Sequence, residues 1–399
     1  MTIDLLWTVT PLRVAALLCA LIACAGMAQV LFGLSLVRGQ ARATRREIHA
    51  ALQTEAVTVL KPLYGAEPLL EEALVSLCRQ DHAALQIVCG VQDARDPAIA
   101  VVHRVMARFP ERDVTLVIDD TVHGRNRKVG NLINMYAAAR HDVLVIADSD
   151  VHVATDYIGR LLTALDGPGV GLVTTPYSGL PSSRDLAGLL GASGISHGFL
   201  PGTMMARALG RSDCLGATMA IRRATLDAIG GLRALAPHVA DDHMLGLFVK
   251  RLGLGVATAN TVPATTVPET RLRDLFRHEL RWSRTIASFV PIKFALSSIQ
   301  YPIAWAWLCL LLSGFEEVGF AVFLAAWLVR AVAVRLIDHM LGLTRLSPTL
   351  IWLLPLRDAI SLCVVAGTYL GSEVEWRGQT MRVRRLNPLD TLPIRTEPL

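Results

Sequence analysis

The chain has 399 residues, of which 52% are hydrophobic and 18% are charged, and its mean hydropathy is +0.44. This composition excludes an ordinary soluble enzyme and predicts that part of the chain lies in a lipid bilayer. The net charge of +5 is modest, and the middle of the chain carries no cluster of basic residues, so the charge pattern argues against specific nucleic-acid binding.

The first long apolar segment runs from Leu12 to Val37 and carries a charge only at Arg13. It is long enough to cross a bilayer, and because no small-residue cleavage site closes it, we interpret it as a membrane anchor. Asp4 precedes the segment. A basic stretch follows it, with arginines at Arg38, Arg42, Arg45 and Arg46. The positive-inside rule therefore predicts that the next region faces the cytoplasm.

Between residues 55 and 290, short runs rich in β-branched residues alternate with helical patterns. The predicted strands are 56–60, 85–91, 114–118 and 143–147. The predicted helices are 68–78, 97–109 and 131–139. Strands that alternate with helices predict a doubly wound α/β domain with a parallel sheet. Ligands of such domains bind beyond the carboxyl ends of the strands.

Three further apolar segments follow, at 303–314, 318–329 and 350–370. Charged residues interrupt this region: Glu316, Glu317, Arg330, Arg335, Arg357 and Asp358. We interpret two of the segments as clear membrane spans and the third, 350–370, as a kinked span or a re-entrant segment. The basic tail from Trp376 to Arg385 predicts a cytoplasmic C-terminus, which requires an even number of crossings after the α/β domain.

Two carboxylates, Asp148 and Asp150, flank Ser149 directly after the fourth predicted strand. At a strand end both can turn toward one hard divalent cation, Mg²⁺ or Mn²⁺, which prefers oxygen ligands and leaves positions open for phosphates. Such a cation neutralises charge on a departing diphosphate. The alternative is that the triplet is a solvated loop.

Asp93 ends the second predicted strand, where its carboxylate could accept the imide N–H of a uracil base; the alternative is an ordinary loop aspartate. Lys128 and Asn131 lie at the start of the helix that precedes the fourth strand. A helix N-terminus beside a cation is an anion-binding arrangement. The alternative for this segment is a solvated basic loop.

The adjacent carboxylates Asp241 and Asp242 repel each other, which raises the pKa of one toward that of a useful general base. They also suit a helix start, and the two interpretations are compatible. Further on, Arg281 could hold a diphosphate in a bidentate fork. Trp282 could line an acceptor site or lie at the membrane interface. The alternative for this segment, which begins at His278, is a basic juxtamembrane helix.

The ordered set of motifs resembles the ceramide glucosyltransferase family, a lipid-modifying branch of the GT-A glycosyltransferases of families 2 and 21. The motifs are Lys61-Pro62-Leu63-Tyr64-Gly65, Val91-Gln92-Asp93, Asp96-Pro97-Ala98-Ile99, Asn126-Arg127-Lys128 with Asn131, Asp148-Ser149-Asp150, Ala240-Asp241-Asp242 and Arg281-Trp282. The bacterial hopanoid-biosynthesis glycosyltransferases look similar too. Two runs are closer to that branch: Asn126-Arg127-Lys128-Val129, and His278 to Thr285.

The resemblance implies a GT-A doubly wound mixed sheet and a role for each motif. Asp93 is expected to bind the uridine of a UDP-sugar. Asp148 and Asp150 are expected to bind ribose, metal and diphosphate. Asp242 is the expected general base. The expected donor-binding residues also include Lys61, Lys128, Asn131, Arg281 and Trp282, and Asp241 and His278 are expected near the acceptor. His278 departs from the family pattern, in which Gln or Arg is usual. Because it is a histidine, its charge is expected to depend on pH.

The sequence therefore predicts an inverting, metal-dependent hexosyltransferase, because one base and one metal-bound leaving group suit direct displacement. The predicted acceptor is a membrane lipid hydroxyl: a hopanoid polyol with a UDP-N-acetylglucosamine donor, or a ceramide with UDP-glucose. Two rival functions are a processive polysaccharide synthase, for which the chain is short, and a non-catalytic membrane scaffold. The predicted location is the inner membrane. The predicted regions are an N-terminal anchor (1–46), a cytoplasmic catalytic domain (47–288) and a C-terminal membrane region with a basic tail (289–399).

Overall fold

The computed structural model describes residues 11–46, 54–346, 348–371, 373–376 and 379–382. Asp4 and the arginines at 377, 384 and 385 lie outside these residues. The α-helices are α1 (Pro11–Arg46), α2 (Leu70–Cys78), α3 (Ala98–Arg108), α4 (Arg127–Tyr136), α5 (Tyr157–Leu165), α6 (Leu186–Gly194), α7 (Leu200–Ala208), α8 (Arg223–Ala228), α9 (Asp241–Arg251), α10 (Leu272–Phe289), α11 (Pro291–Leu296), α12 (Pro302–Leu312), α13 (Glu317–Leu341) and α14 (Leu354–Thr368). A π-helical turn, Ile195–Phe199, joins α6 to α7, and 3₁₀ turns lie at Leu232–Leu235, Ser297–Gln300 and Pro348–Leu353.

The strands are β1 (Val57–Pro62), β2 (Leu85–Val91), β3 (Asp113–Ile118), β4 (Val143–Ala147), β5 (Val151–His152), β6 (Val170–Thr174), β7 (Ser178–Pro181), β8 (Thr218–Arg222), β9 (Gly255–Thr258), β10 (Ala264–Val267), β11 (Glu373–Trp376) and β12 (Gln379–Arg382). The four predicted strands and the three predicted helices between them are all present. Helix α4 begins at Arg127, before the predicted 131, because the Asn126 side chain caps it by accepting a 3.1 Å hydrogen bond from the Val129 N–H.

In the described part of the chain, the main sheet has seven strands in the order β3-β2-β1-β4-β8-β6-β9. Strands β3, β2, β1 and β4 are parallel, as predicted, and β8 is antiparallel to both of its neighbours. The doubly wound, mixed α/β sheet that the resemblance implied is therefore confirmed. Because β1, β2 and β4 run the same way, the residues that follow them meet at one edge.

Alternate residues of the central strands enter two separate hydrophobic layers. In β4, Val143 and Val145 pack with α2, α3 and α5, whereas Leu144 and Ile146 pack with α4 and α9. A strand has a side-chain period of two, so a strand covered on both faces reads as a continuous apolar run. This is why the central strands could be predicted from the sequence alone.

A second, small sheet of order β5-β10-β7 adjoins the carboxyl end of β4. The Thr266 N–H donates a 3.0 Å hydrogen bond to the Asp150 carbonyl, and β10 pairs antiparallel with β5. The acidic triplet is thus held between the main sheet and this small sheet.

Within the described residues, three helical segments are long and apolar enough to cross a membrane: Pro11–Arg45, Glu317–Leu341 and Pro348–Thr368. The prediction placed the kink or re-entrant turn in the last of these, which is wrong. The bend lies instead between Pro291–Gln300 and Pro302–Leu312, which meet at 75°. Pro302 has no N–H to continue a helix, and α12 alone is too short to span a bilayer.

Helix α13 continues for twelve residues beyond the predicted segment end at Val329. Arg330 looked like an interruption in the sequence. In the structure its guanidinium lies 2.9 Å from the Asp358 carboxylate of α14, and both side chains are buried. A paired charge inside a helix bundle does not need to end the helix.

The predicted region boundaries at 46 and 288 stay predictions. Helix α1 ends at Arg46 and α10 ends at Phe289. However, α6, the π-helical turn and α7 pack against membrane-region helices although they belong to the predicted catalytic domain. The two predicted regions therefore share a continuous interface.

Candidate active site

Lys61, at the end of β1, lies beneath the acidic triplet. Its Nζ donates hydrogen bonds to the backbone carbonyls of Asp148, at 2.8 Å, and Val151, at 3.2 Å. The side chain is fully buried, and burial lowers its pKa to about 8, partly offset by the charge of Asp150. The sequence placed Lys61 among the donor-binding residues; the structure instead gives it contacts to the backbone that carries the two carboxylates.

Lys128 lies in the first turn of α4 and bridges two acidic segments. Its Nζ is 2.6 Å from Oδ1 of Asp148 and 3.4 Å from Oδ2 of Asp241. Burial works against its charge, but the two carboxylates outweigh burial and raise its pKa above the usual value. The Lys128 ammonium group therefore lies beside the N-terminus of α4, as predicted, and is directed at the strand end that carries the triplet.

Asn126 is a site residue that the sequence did not single out on its own. Its Nδ2 donates to the His238 carbonyl, at 2.8 Å, and to Oδ1 of Asp241, at 3.2 Å, while its Oδ1 caps α4. It thereby fixes the loop before α9 to the start of α4. Its place two residues before Lys128 and its N-cap residue type were the available signals.

Asp150 points into the junction with the small sheet. Its carboxylate accepts a short hydrogen bond from the Thr265 hydroxyl. Burial and the neighbouring Asp148 charge raise its pKa. Two neighbouring carboxylates suit a divalent cation, and their hard oxygen atoms match Mg²⁺ or Mn²⁺. Among the residues that the structure describes, no group of three His, Cys, Asp or Glu side chains is arranged as a metal site.

The predicted pair Asp241-Asp242 opens α9, as the helix-start interpretation expected. Asp241 is directed at Lys128 and Asn126, and the N-cap residue of α9, Ala240, makes no side-chain cap. Asp242 is partly buried, and its Oδ1 accepts from the His243 N–H at 2.7 Å. Burial and the charge of Asp241 raise the pKa of Asp242 to about 6, against the opposing effect of Lys128.

Gly216 has no side chain, and the Asp242 carboxylate occupies the space that a side chain there would fill. A Cβ atom on Gly216 would lie 2.9 Å from Oδ2 of Asp242 and 3.2 Å from its Cγ. Such separations are too short for unstrained contact, so the glycine fixes how closely the loop before β8 approaches the carboxylate. Neither periodicity nor a motif in the sequence pointed to this residue.

Asp93 and Asn131 occupy different environments at the same sheet edge. Asp93 follows β2, has a side chain that is 59% exposed, and accepts a 2.8 Å hydrogen bond from the Arg95 N–H. Asn131 is buried, and its Nδ2 donates to the Gly90 carbonyl at 2.8 Å. Asp93 is thus open to a ligand, whereas Asn131 ties α4 to the end of β2. The expected roles of both residues in donor binding stay predictions.

Three aromatic side chains lie in a row that ends on α10: Tyr177, Phe199 and Trp282. We call this row the aromatic wall. The ring centroids are 4.9 Å apart for Tyr177 and Phe199, and 6.5 Å apart for Phe199 and Trp282. Tyr177 packs in one apolar cluster with Val151, the residue that follows the acidic triplet. Burial and the charges of Asp242, Asp148 and Asp150 raise the pKa of Tyr177. The wall therefore connects the acidic site to α10.

His278 faces Glu269. The His278 ring forms a short hydrogen bond with the Glu269 carboxylate and meets the Trp282 ring edge-on, with centroids 4.7 Å apart. Burial opposes ionisation of Glu269, but the His278 bond and the nearby charges of His278 and Arg281 lower its pKa. The predicted motif residues are therefore brought together on one side of α10, at the end of the aromatic wall.

The doubly wound mixed sheet with carboxylates at its carboxyl edge is the fold of GT-A glycosyltransferases, and the described residues include three helices long and apolar enough to cross a membrane. The model of glycosyl transferase family 21 matches residues 17–387, and the chain belongs to that family.

The chain is similar to ceramide glucosyltransferases. It is 32% identical to that of Komagataella phaffii over 126 residues, which cover 31% of this chain and 25% of the relative. It is 22% identical to ceramide glucosyltransferase 1 of Caenorhabditis elegans over 249 residues, which cover 61% of this chain and 52% of the relative. Among solved structures, it resembles a Pyrobaculum calidifontis mannosyltransferase in complex with GDP-Man and Mn²⁺, with 20% identity, a TM-score of 0.46, and coverage of 88% of this chain and 99% of that one.

Proposed function

We propose that this chain is an inverting glycosyltransferase that moves a hexose or an N-acetylhexosamine from a UDP-sugar to the hydroxyl of a membrane lipid. The observation that carries the proposal is the position of Asp242. It sits against Gly216, beside the Lys128 bridge to Asp148, at the carboxyl edge of the sheet. A base there faces the strand ends where a nucleotide-sugar binds.

In the proposed donor site, Asp93 accepts the uracil imide and Lys128 faces the phosphates. Asp148 and Asp150 would hold a divalent cation, Mg²⁺ or Mn²⁺. When bound, the cation would supply charge neutralisation to the diphosphate. Arg281 contributes a second cationic group from α10. Lys61 holds the backbone carbonyls under the triplet and thereby positions its carboxylates.

In the proposed reaction, the Asp242 carboxylate takes the proton of the acceptor hydroxyl. The hydroxyl oxygen forms a bond to the anomeric carbon as the bond to UDP breaks, so the α-linked donor gives a β-glycoside. Asp242 suits this step because a base with a pKa near the working pH is efficient, and its pKa is raised to about 6.

A lipid acceptor is supported by the aromatic wall and its neighbours. Leu350, in the 3₁₀ turn that precedes α14, packs in one apolar cluster with Val151, Tyr177 and Trp282. The side chains around the acidic triplet are thus continuous with the membrane region. If α11 and α12 form a re-entrant pair, two crossings follow the catalytic domain, α13 and α14. This count supports a catalytic domain and a basic tail that both face the cytoplasm, at the inner membrane.

We propose a hopanoid polyol as the acceptor and UDP-N-acetylglucosamine as the donor, because two of the sequence runs are closer to the hopanoid branch. The second candidate is transfer of glucose from UDP-glucose to ceramide, and the ceramide glucosyltransferase relatives favour it. A non-catalytic scaffold that retains the fold is the third candidate.

The test uses the purified full-length chain in lipid nanodiscs. UDP-glucose and UDP-N-acetylglucosamine are each incubated with ceramide and with a hopanoid polyol, and the lipids are analysed by mass spectrometry and NMR. We expect a β-linked hopanoid glycoside from UDP-N-acetylglucosamine. A glucosylceramide product selects the second candidate, a retained α-linkage excludes inversion, and UDP binding without any glycosylated lipid selects the scaffold.

A further inference from the structure

A buried ion pair joins the catalytic helix α10 to the membrane-region helix α14. Nη1 and Nη2 of Arg357 lie 2.7 Å from Oε1 and Oε2 of Glu279, in a bidentate arrangement. The side chains are 3% and 20% exposed, respectively. A planar guanidinium that engages both carboxylate oxygens fixes orientation as well as distance.

Arg357 also contacts α6, so three helices meet at one side chain. Its Nη1 donates to the Leu190 carbonyl at 3.2 Å, and Ser361 on the next turn of α14 accepts from Nη2 at 2.8 Å. A Cβ atom on Gly194 would lie 3.2 Å from Nη1 of Arg357 and 3.3 Å from Oε1 of Glu279. The last residue of α6 thus leaves just enough room for the ion pair.

The next residue, Asp358, has the opposite charge and reaches a different helix. Its Oδ1 accepts a 2.9 Å hydrogen bond from Arg330 of α13, and its Oδ2 accepts from the Ile303 N–H at the start of α12, at 3.3 Å. The second arm of Arg330 donates to the His197 carbonyl in the π-helical turn at 2.8 Å. We call the pairs Glu279–Arg357 and Arg330–Asp358 the charged clamp.

Both pairs of the charged clamp attach to segments that carry the aromatic wall. Trp282 lies three residues after Glu279 on α10, so the two side chains project from neighbouring turns. Phe199 ends the π-helical turn whose His197 carbonyl is held by Arg330. Inserted π-helical turns occur often at functional sites.

Stability alone is a weak reason for such pairs, because desolvation of both charges offsets much of their attraction. A better reason is the relative orientation of the paired helices, since bidentate and paired contacts fix angles between side chains that apolar packing leaves free. We propose that the charged clamp positions Phe199 and Trp282 so that a lipid acceptor is aligned along the aromatic wall toward Asp242. The clamp residues are positioning residues, and the inference rests on the proposed transfer to a lipid.

The first experiment measures the wall without any reaction. The full-length protein is labelled with 5-fluorotryptophan in nanodiscs, and the ¹⁹F line of Trp282 is assigned as the one lost in Trp282→Phe. We expect this line to move by more than its width in the double variant Glu279→Leu/Arg357→Met. The matched control is Glu72→Gln/Arg345→Gln, which removes an exposed Glu–Arg pair of the same 2.7 Å length and should leave the line in place.

The second experiment compares transfer with hydrolysis in the same variants. We expect kcat/KM for the lipid acceptor to fall on the order of 10²-fold in the clamp variant, as a misplacement of about 1 Å does. Hydrolysis of the UDP-sugar by water and the affinity for UDP should stay within about twofold, because neither uses the wall. Arg357→Lys keeps the charge but loses the fork, so its effect on both readouts should be intermediate.

Folding is checked by size-exclusion chromatography and thermal unfolding. If the double variant does not fold, Arg357→Lys decides, because it retains charge balance. A folded clamp variant with an unmoved Trp282 line and an unchanged ratio of transfer to hydrolysis overturns the inference. If the unmodified protein glycosylates no lipid, the proposed function fails, and the ¹⁹F line still decides whether the charged clamp sets the wall.

Discussion

The ammonium group of Lys128 lies 2.6 Å from Oδ1 of Asp148, so the first turn of α4 is joined directly to the strand end that carries the acidic triplet. The same ammonium group is 3.4 Å from Asp241, beside the proposed base. One lysine therefore balances the charges of the proposed donor and base sites.

Replacing the proposed base should separate binding from turnover. We expect Asp242→Asn to lower kcat by about 10²–10⁴-fold, the usual contribution of a general base, and to leave UDP affinity unchanged. In the unmodified enzyme, log kcat/KM should fall below pH about 6, because protonated Asp242 cannot accept the acceptor proton. Steady-state kinetics from pH 5 to 8 and calorimetry with UDP measure both effects. Unchanged turnover in Asp242→Asn removes this residue from the mechanism.

The same substitution should stabilise the protein at neutral pH. The folded-state pKa of Asp242 is raised to about 6 from an ordinary value of 3.8, so the fold favours the protonated form. The stability that this group contributes is complete below pH 3.8 and is lost as the pH rises through about 6. We expect Asp242→Asn to raise the Tm at pH 7.5 by clearly more than at pH 5. Equal Tm changes at the two pH values contradict the raised pKa.

Lys128 should control the pH at which the proposed base, Asp242, becomes protonated. Its positive charge holds the pKa of Asp242 below the value that burial and Asp241 alone would give. We therefore expect Lys128→Met to move the acid limb of log kcat/KM to a pH above about 6, whereas Lys128→Arg, which keeps the charge, leaves it in place. A limb that stays fixed in Lys128→Met shows that the two groups do not interact in the working enzyme.

Gly216 should be sensitive to a single methyl group. A Cβ at this position lies 2.9 Å from Oδ2 of Asp242, so Gly216→Ala must displace the carboxylate. We expect kcat to fall on the order of 10²-fold, the cost of moving a reacting group by about 1 Å, without loss of UDP binding. Gly39→Ala is the control, because a Cβ on Gly39 meets nothing within 4 Å. If both variants keep full activity, Asp242 does not need its observed position.

Metal removal tests the role of Asp148 and Asp150. We expect a chelator to abolish turnover and Mn²⁺ or Mg²⁺ to restore it. Thr265 donates a hydrogen bond to Asp150, and loss of such a supporting bond lowers metal affinity by about 10–100-fold. Thr265→Val should therefore need correspondingly more cation for half-maximal activity. Thr163→Val is the control, because it removes a hydroxyl that donates to the Gly159 carbonyl within α5. Full activity in a chelator contradicts metal dependence.

Much of the fold could be predicted because its signals are local. The central strands are covered on both faces, so they appear in the sequence as unbroken apolar runs, and β2 and β4 have the predicted bounds. Asp93 and Asp148 could be placed at one edge for the same reason, since each follows a parallel strand. The antiparallel β8 carries no such signal, because strand direction depends on partners that lie far away in the sequence.

The sequence motifs named the candidate site residues, whose roles stay predictions, but the motifs did not reveal all of the contacts that these side chains make. Lys61 was expected to bind the donor, yet it is buried and holds the carbonyls of Asp148 and Val151. Asn131 was expected there too, yet it bonds the end of β2. A sequence motif identifies which residues belong together, but whether a side chain faces a ligand or the backbone depends on the packing around it.

The sequence by itself determined the alternation of strands and helices, the apolar segments and the carboxylates that follow the strands, because each depends on residues close together along the chain. The tertiary structure decided that Arg330 continues a membrane-length helix, that the bend lies before α12, and that Lys128 joins Asp148 to Asp241. For Arg330 and Lys128, the free energy of the charged side chain depends on its ion-pair partner and on its burial. Both come from distant parts of the chain, so only the folded molecule brings them together.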